Sequence, residues 1–145
     1  MTEFYTPEEA TPQAAITAIG EELTLFDDWL ERYEFIIELG RKLPAYPAQW
    51  QDEAHRVRGC QSQVWLAHEV RGDKLFFTGA SDAAIVSGLV ALVLRVFSGR
   101  TKAEILGTSA QFLKDLGLIG ALSTNRGNGV ASMVERIHHI TSASV

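Results

Sequence analysis

The chain has 145 residues, 46 % of them hydrophobic, and a formal charge of −5 at pH 7, a make-up that suits one domain able to build a core without disulfides or a metal. With no lysine or arginine block, that charge excludes a phosphate-tracking surface, so nucleic acid is not an expected partner. The single cysteine excludes an intrachain disulfide and a tetrathiolate cluster, and a lone free thiol suits the cytosol.

The start, MTEFYTPEEATP, carries acid where an export signal needs base and has no apolar run, so no address is expected there. Residues 1–10 are expected to be loose. Thr11 and Pro12 have the residue types of a helix cap and first helical position, opening a short helix with Ala15, Ile16 and Ile19 that Gly20 weakens or ends. From Phe26, the residues Trp29, Leu30, Tyr33, Ile36, Ile37 and Leu43 recur at three- and four-residue spacing opposite a charged side. They predict an amphipathic helix, which Pro44 and Pro47 stop. A connector with room for a helical turn then runs through Trp50 towards Cys60.

Gln63 to Val70 alternates, with Val64, Leu66 and Val70 on one side and Trp65 and Ala67 on the other. Arg71, Gly72 and Asp73 supply a turn before KLFFTG, which predicts a hairpin. His55 to Arg58 is the expected third strand, placing Cys60 in a loop between two strands of one sheet. Ser81 is the expected cap, and Asp82 the dipole-favoured first acid, of a helix from Asp82 to about Ser98. That stretch is apolar nearly all round, hence a core helix, and Ser87, Gly88 and Arg95 make it too short and too polar to span a bilayer. No membrane association is expected. Thr101 and Glu104 form a capping-box pattern, Ser109 a cap for the next helix, and Gly117 its end. A last helix carries Val130, Met133, Val134, Ile137 and Ile140 on one stripe, with fraying expected after His139 and loose residues from 141 to 145. Helices at both ends with strands between them give an α+β fold: a small antiparallel sheet, expected three-stranded, packed by helices, in a single domain spanning 1–145.

Cys60 sits in HRVRGCQSQVW, behind a glycine and after two arginines. Gly59 opens loop conformations to the backbone, and Arg56 and Arg58 would favour the thiolate if they lie close in space. This points to a presented, reactive thiol; the plainer reading is a buried small hydrophobe. The histidines His55, His68, His138 and His139 show no zinc spacing beside one cysteine, so no metal site is expected. The adjacent His138 and His139 read as solvated helix residues. A Cys-His enzyme with His55 or His68 as base is one alternative, although no third residue or oxyanion-hole motif accompanies it. A non-catalytic interaction domain with a buried cysteine is another.

Four blocks in order, YEFIIELGRKLP at Tyr33–Pro44, GCQSQVW at Gly59–Trp65, SDAAIVSGLVALVL at Ser81–Leu94 and LSTNRGNG at Leu122–Gly129, resemble the SufE/CsdE family of sulfur-acceptor proteins, from about Trp29 to Ile137. The last block departs from the family's Ser-Pro-Ser or Ser-Ala-Ser, having Ser123, Thr124 and Asn125 ahead of a kept arginine, Arg126. Gln61-Ser62-Gln63 is closer to the SufE branch than to the CsdE branch. The resemblance implies that Cys60 carries a persulfide taken from a pyridoxal-phosphate-dependent cysteine desulfurase, which it stimulates, and passes it to an iron–sulfur scaffold. The chain itself would be a carrier with no cofactor of its own. A second cysteine would be unwelcome beside such a group, because it could discharge the persulfide as a disulfide. Asp82 and Arg126 match family positions near the cysteine, with partner-binding or loop-positioning roles. Gly59 and Gln61 join them in shaping the loop or meeting the partner, and Trp65 reads as core.

Overall fold

The computed structural model describes residues 4–58, 62–118 and 124–144, with the side chains of 124–129 set aside. Elements follow in the order α1 (Pro12–Leu23), α2 (Trp29–Arg41), two 3-10 turns (Ala48–Trp50 and Glu53–His55), β1 (Val64–Arg71), β2 (Lys74–Ser81), α3 (Ala84–Phe97), β3 (Arg100–Thr101), α4 (Lys102–Leu106), α5 (Gln111–Asp115) and α6 (Thr124–Ala143). The strands make one antiparallel sheet in the order β1-β2-β3, with β1 and β2 in register from Val64↔Ser81 to Arg71↔Lys74. The fold is α+β.

Side-chain caps set several helix starts. The Thr11 hydroxyl accepts from the Ala14 amide with Pro12 just inside, Asp28 accepts from the Glu31 amide, and Thr101 and Glu104 close a capping box. Gly20 does not end α1, which runs on to Leu23. The glycine is there for space: a Cβ would stand 3.3 Å from the Leu116 side chain.

α3 is the centre of the molecule. Between Ile85 and Phe97 only Ser87 and Arg95 escape full burial, because α2, β2, α1 and α6 all pack against it. α2 and α3 meet backbone to backbone at Gly40 and Gly88. A Cβ on Gly88 would fall 2.1 Å from the Ile36 carbonyl oxygen, and one on Gly40 2.6 Å from the Gly88 nitrogen. No larger residue fits at that crossing without parting the helices.

The third strand is not where the sequence predicts it. Glu53–His55 forms a 3-10 turn, Arg56 makes a single bridge to Trp65, and Arg100–Thr101 pairs with β2 instead. Asp52 explains the difference: its Oδ1 accepts from the His55 amide at 3.0 Å and meets His55 Nδ1 at 2.7 Å, so local side-chain bonds displace a ladder. Val70 is 44 % exposed because the far end of β1 outruns the covering helices.

Described residues of the two ends that composition reads as loose pack on the core. Phe4 is buried, the Tyr5 amide donates to the Phe77 carbonyl at 2.8 Å, and Thr141 is fully buried within an α6 that continues past His139. Arg95 holds the first segment by a double fork. Its Nε and Nη2 donate to the Glu9 carboxylate at 3.1 and 2.8 Å, and its Nη1 and Nη2 to that of Glu22 at 2.9 and 2.6 Å. Buried Arg100 adds a donor to the Glu9 carbonyl. Polar pairing adds to the burial of Phe4 in ordering a segment that reads as a tail.

Candidate functional site

Gly59, Cys60 and Gln61 lie outside the described residues, and Arg126 is in α6 with its side chain likewise outside. The structure describes what holds the chain on either side of Cys60. Behind it the described hold is polar; ahead of it hydrogen bonds are joined by one buried side chain, Val57.

Ahead of the cysteine, the Val57 amide donates to the Val64 carbonyl at 2.8 Å and Arg56 bridges Trp65, so residues 57 and 64 are paired across the interval that contains the thiol. Val57 is 2 % exposed and anchors that point in the core. Arg136 of α6 reaches the same stretch, donating from Nη1 to the Arg56 carbonyl at 3.2 Å and from Nη2 to the Ala54 carbonyl at 3.0 Å. Sequence reasoning missed Arg136, since a lone arginine off the apolar stripe of a helix reads as a solvated residue.

Behind the cysteine, Asp82 does the holding. Its Oδ1 accepts from the Gln63 amide at 3.1 Å, while its own amide donates to the Gln63 carbonyl at 3.3 Å. Asp82 is therefore not the first acid of the helix that the sequence predicts, but lies ahead of it. α3 starts at Ala84 with Ala83 as its cap position and no side-chain cap bond, and the Ser81 hydroxyl accepts from the Ala83 amide. The aspartate faces the cysteine segment because β2 ends at Ser81, opposite Val64, leaving the next residue beside Gln63.

The two arginines before the thiol are engaged. Glu53 pairs with Arg58 at 3.0 Å and lies 3.5 Å from Arg56, which spends part of their charge on a carboxylate. Glu53 was not among the residues the sequence singled out. Of the candidate bases, His55 is bonded to Asp52 and stacked on Trp50 with ring centroids 5.8 Å apart. Its imidazole holds the Asp52 carboxyl below the usual carboxylate range. His68 lies in β1, where burial first, then the electrostatic effect of His55 and Arg136, pushes its pKa down and favours the neutral ring. It lines an open cavity of about 410 Å³ with Arg136, His139 and Ile140. Any approach of either ring to Cys60 falls outside the described residues. His138 is not solvated as predicted: its Nε2 lies 2.8 Å from the Thr108 carbonyl oxygen and its ring meets Phe97 edge-on.

Among the described residues no group of three or more His, Cys, Asp or Glu side chains is placed to hold a metal ion. Nor is any helix there long and apolar enough to cross a membrane.

With this geometry in place, comparison with known proteins is informative. Residues 17–141 match the family profile described as SufE, Fe-S metabolism associated domain. An uncharacterised SufE-like protein of Rhizobium meliloti is 42 % identical over 128 residues, covering 85 % of this chain and 91 % of the relative. The sulfur acceptor protein CsdE of Escherichia coli is 38 % identical over 111 residues, covering 75 % and 76 %. A solution structure of a hypothetical protein from Thermus thermophilus superposes with a TM-score of 0.73 over 88 % of this chain and 93 % of that one; at 20 % identity it speaks for the fold alone.

Proposed function

The chain belongs to the SufE family, and from that membership we propose that it is a sulfur acceptor of iron–sulfur metabolism that carries sulfur on Cys60. The observation that carries this reading is that the family match spans the whole stretch around a solitary thiol, the only cysteine available to accept sulfur. The hydrogen bonds that hold residues 54, 56 and 57 on one side and residue 63 on the other support it, because a carrier must offer its thiol at a defined place.

The donor is a cysteine desulfurase whose pyridoxal phosphate belongs to that partner, and this chain needs no cofactor of its own. The Cys60 thiolate attacks the outer sulfur of the donor's cysteine persulfide. A new S–S bond forms to Cys60, the donor's S–S bond breaks, and the donor sulfur leaves as thiolate. Sulfane sulfur moves without net oxidation or reduction. The same exchange, with an acceptor thiol as nucleophile, would pass the sulfur to an iron–sulfur scaffold. A reducing compartment such as the cytosol suits a lone thiol in this role. Within the proposal Gly59, Gln61, Asp82 and Arg126 position the cysteine segment or meet the desulfurase.

Cys60→Ser tests the reading. The variant keeps a cooperative fold, takes up no sulfur and no longer stimulates the desulfurase, since a serine oxygen cannot hold sulfane sulfur. Full stimulation by the serine variant would overturn the carrier role. Loss of cooperative unfolding would assign Cys60 to packing instead.

A further inference from the structure

From Ala45 to Arg56 the chain crosses the surface with little apolar help. None of residues 45–56 is buried, and neither 3-10 turn contributes a core side chain. The bonds within this stretch are local. Tyr46 donates to the Trp50 carbonyl, Asp52 caps the second turn, and Glu53 pairs with its own neighbours. Trp50 meets the Phe4 ring, with centroids 6.2 Å apart. Among the described residues the end of the stretch is tied to distant parts of the fold by the pairing of Arg56 and Val57 with β1, by the burial of Val57 just beyond it and by the Arg136 fork. A guanidinium that donates to two carbonyls two residues apart fixes both the height and the rotation of the turn, which a single bond would not.

We infer that Arg136 is a positioning residue for the Cys60 thiol, acting through residues 54–56 that lead into it; the inference rests on the sulfur-acceptor reading only for the use made of the thiol. Arg136 can play this part because α6 is anchored independently. Met133, Val134 and Ile137 are buried on its apolar stripe, so the helix supplies a rigid mount whether or not the guanidinium is engaged. The fork makes the incoming chain follow α6. Asp82 makes the outgoing chain follow the β2–α3 junction, so the ends of the cysteine segment are referred to two different elements of the fold.

The test compares Arg136→Ala and Arg136→Lys with the wild-type full chain by three readouts. These are amide exchange at His55, Arg56 and Val57, alkylation of Cys60 by iodoacetamide, and sulfur uptake from a desulfurase supplied with cysteine. The alanine variant should exchange those three amides about tenfold faster or more, which is the low end for losing the two charge-assisted hydrogen bonds of the fork. Its alkylation rate should depart from the wild-type value, sulfur uptake should slow, and thermal unfolding should stay cooperative near the wild-type midpoint. Lysine, which can serve one carbonyl but not the fork, should restore the behaviour only in part. Wild-type exchange and alkylation in the alanine variant would overturn the inference. So would full rescue by lysine, which would mean charge alone, and so would a global loss of stability, which would make Arg136 a core strut. If the wild-type chain takes up no sulfur while alkylation still responds to Arg136, the carrier reading falls and the positioning role stands.

Discussion

α3 and the connector that follows α2 are held by opposite means. α3 is wrapped on all sides, meets α2 with backbones touching at Gly40 and Gly88, and owes its place to excluded volume and apolar burial. Residues 45–56 bury no side chain and are held mainly by hydrogen bonds and ion pairs, with Trp50 against the rings of Phe4 and His55. The difference separates two kinds of failure: damage to α3 should unfold the domain, while damage to the polar hold should shift the segment around Cys60 and leave the domain standing.

The largest expected effect lies at the helix crossing. Gly88→Ala should cost about 3 kcal/mol or more, because the new methyl meets the Ile36 backbone rather than a side chain that could turn away. Urea denaturation would read it. A cost below about 1 kcal/mol would mean that the crossing can widen and that α3 is not the rigid half of the contrast.

Arg95→Met comes next, at about 2 kcal/mol, less than for a sealed pair because the Arg95 and Glu9 side chains keep 15 % and 16 % of their exposure. It leaves two carboxylates facing each other and should free residues 4–10. The same contact predicts a pH dependence. Hydrogen bonding to Arg95 holds the Glu9 carboxyl below its ordinary value against the opposing effect of burial. The depressed folded value means that the bond stabilises the chain fully above the unfolded Glu pKa and loses its effect as pH falls through the folded one. The stability gap between wild type and Glu9→Gln should therefore be widest near neutrality and narrow from about pH 5 downwards. A gap independent of pH would show that Glu9 acts by packing.

The smallest effect on stability is expected at Asp82. Asp82→Ala should cost about 1 kcal/mol, felt as faster exchange of the Gln63 amide. Asp82→Asn, which keeps an oxygen acceptor, should behave like wild type. Equal defects in both variants would point to the carboxylate charge rather than to the bond.

Much of the packed half was legible in the sequence. The three- and four-residue spacing of Trp29, Tyr33 and Ile36, the hairpin about Gly72 and the capping box at Thr101 each express local chemistry that the fold keeps. The polar half was legible in its residues but not in their partners. Asp82 stood out as the first acid of a helix and, through the resemblance, as a loop-positioning residue, yet no local pattern says that its carboxylate crosses to a residue nineteen positions earlier. Arg136 and Arg95 gave no signal, since a charged residue on a helix looks solvated until the tertiary fold brings carbonyls or carboxylates to it. The third strand failed for a related reason: the residues at His55 to Arg58 suit a strand, but Asp52 draws His55 into a turn and leaves a single bridge, at Arg56, to β1.

The most direct test of the account is mass spectrometry of the intact chain after incubation with a cysteine desulfurase and cysteine, followed by peptide mapping. The account predicts a gain of one sulfur atom on the peptide containing Cys60, removed by reductant and absent from Cys60→Ser. A chain that gains no sulfur under conditions where the desulfurase is turning over, or that gains it equally in the serine variant, would contradict it.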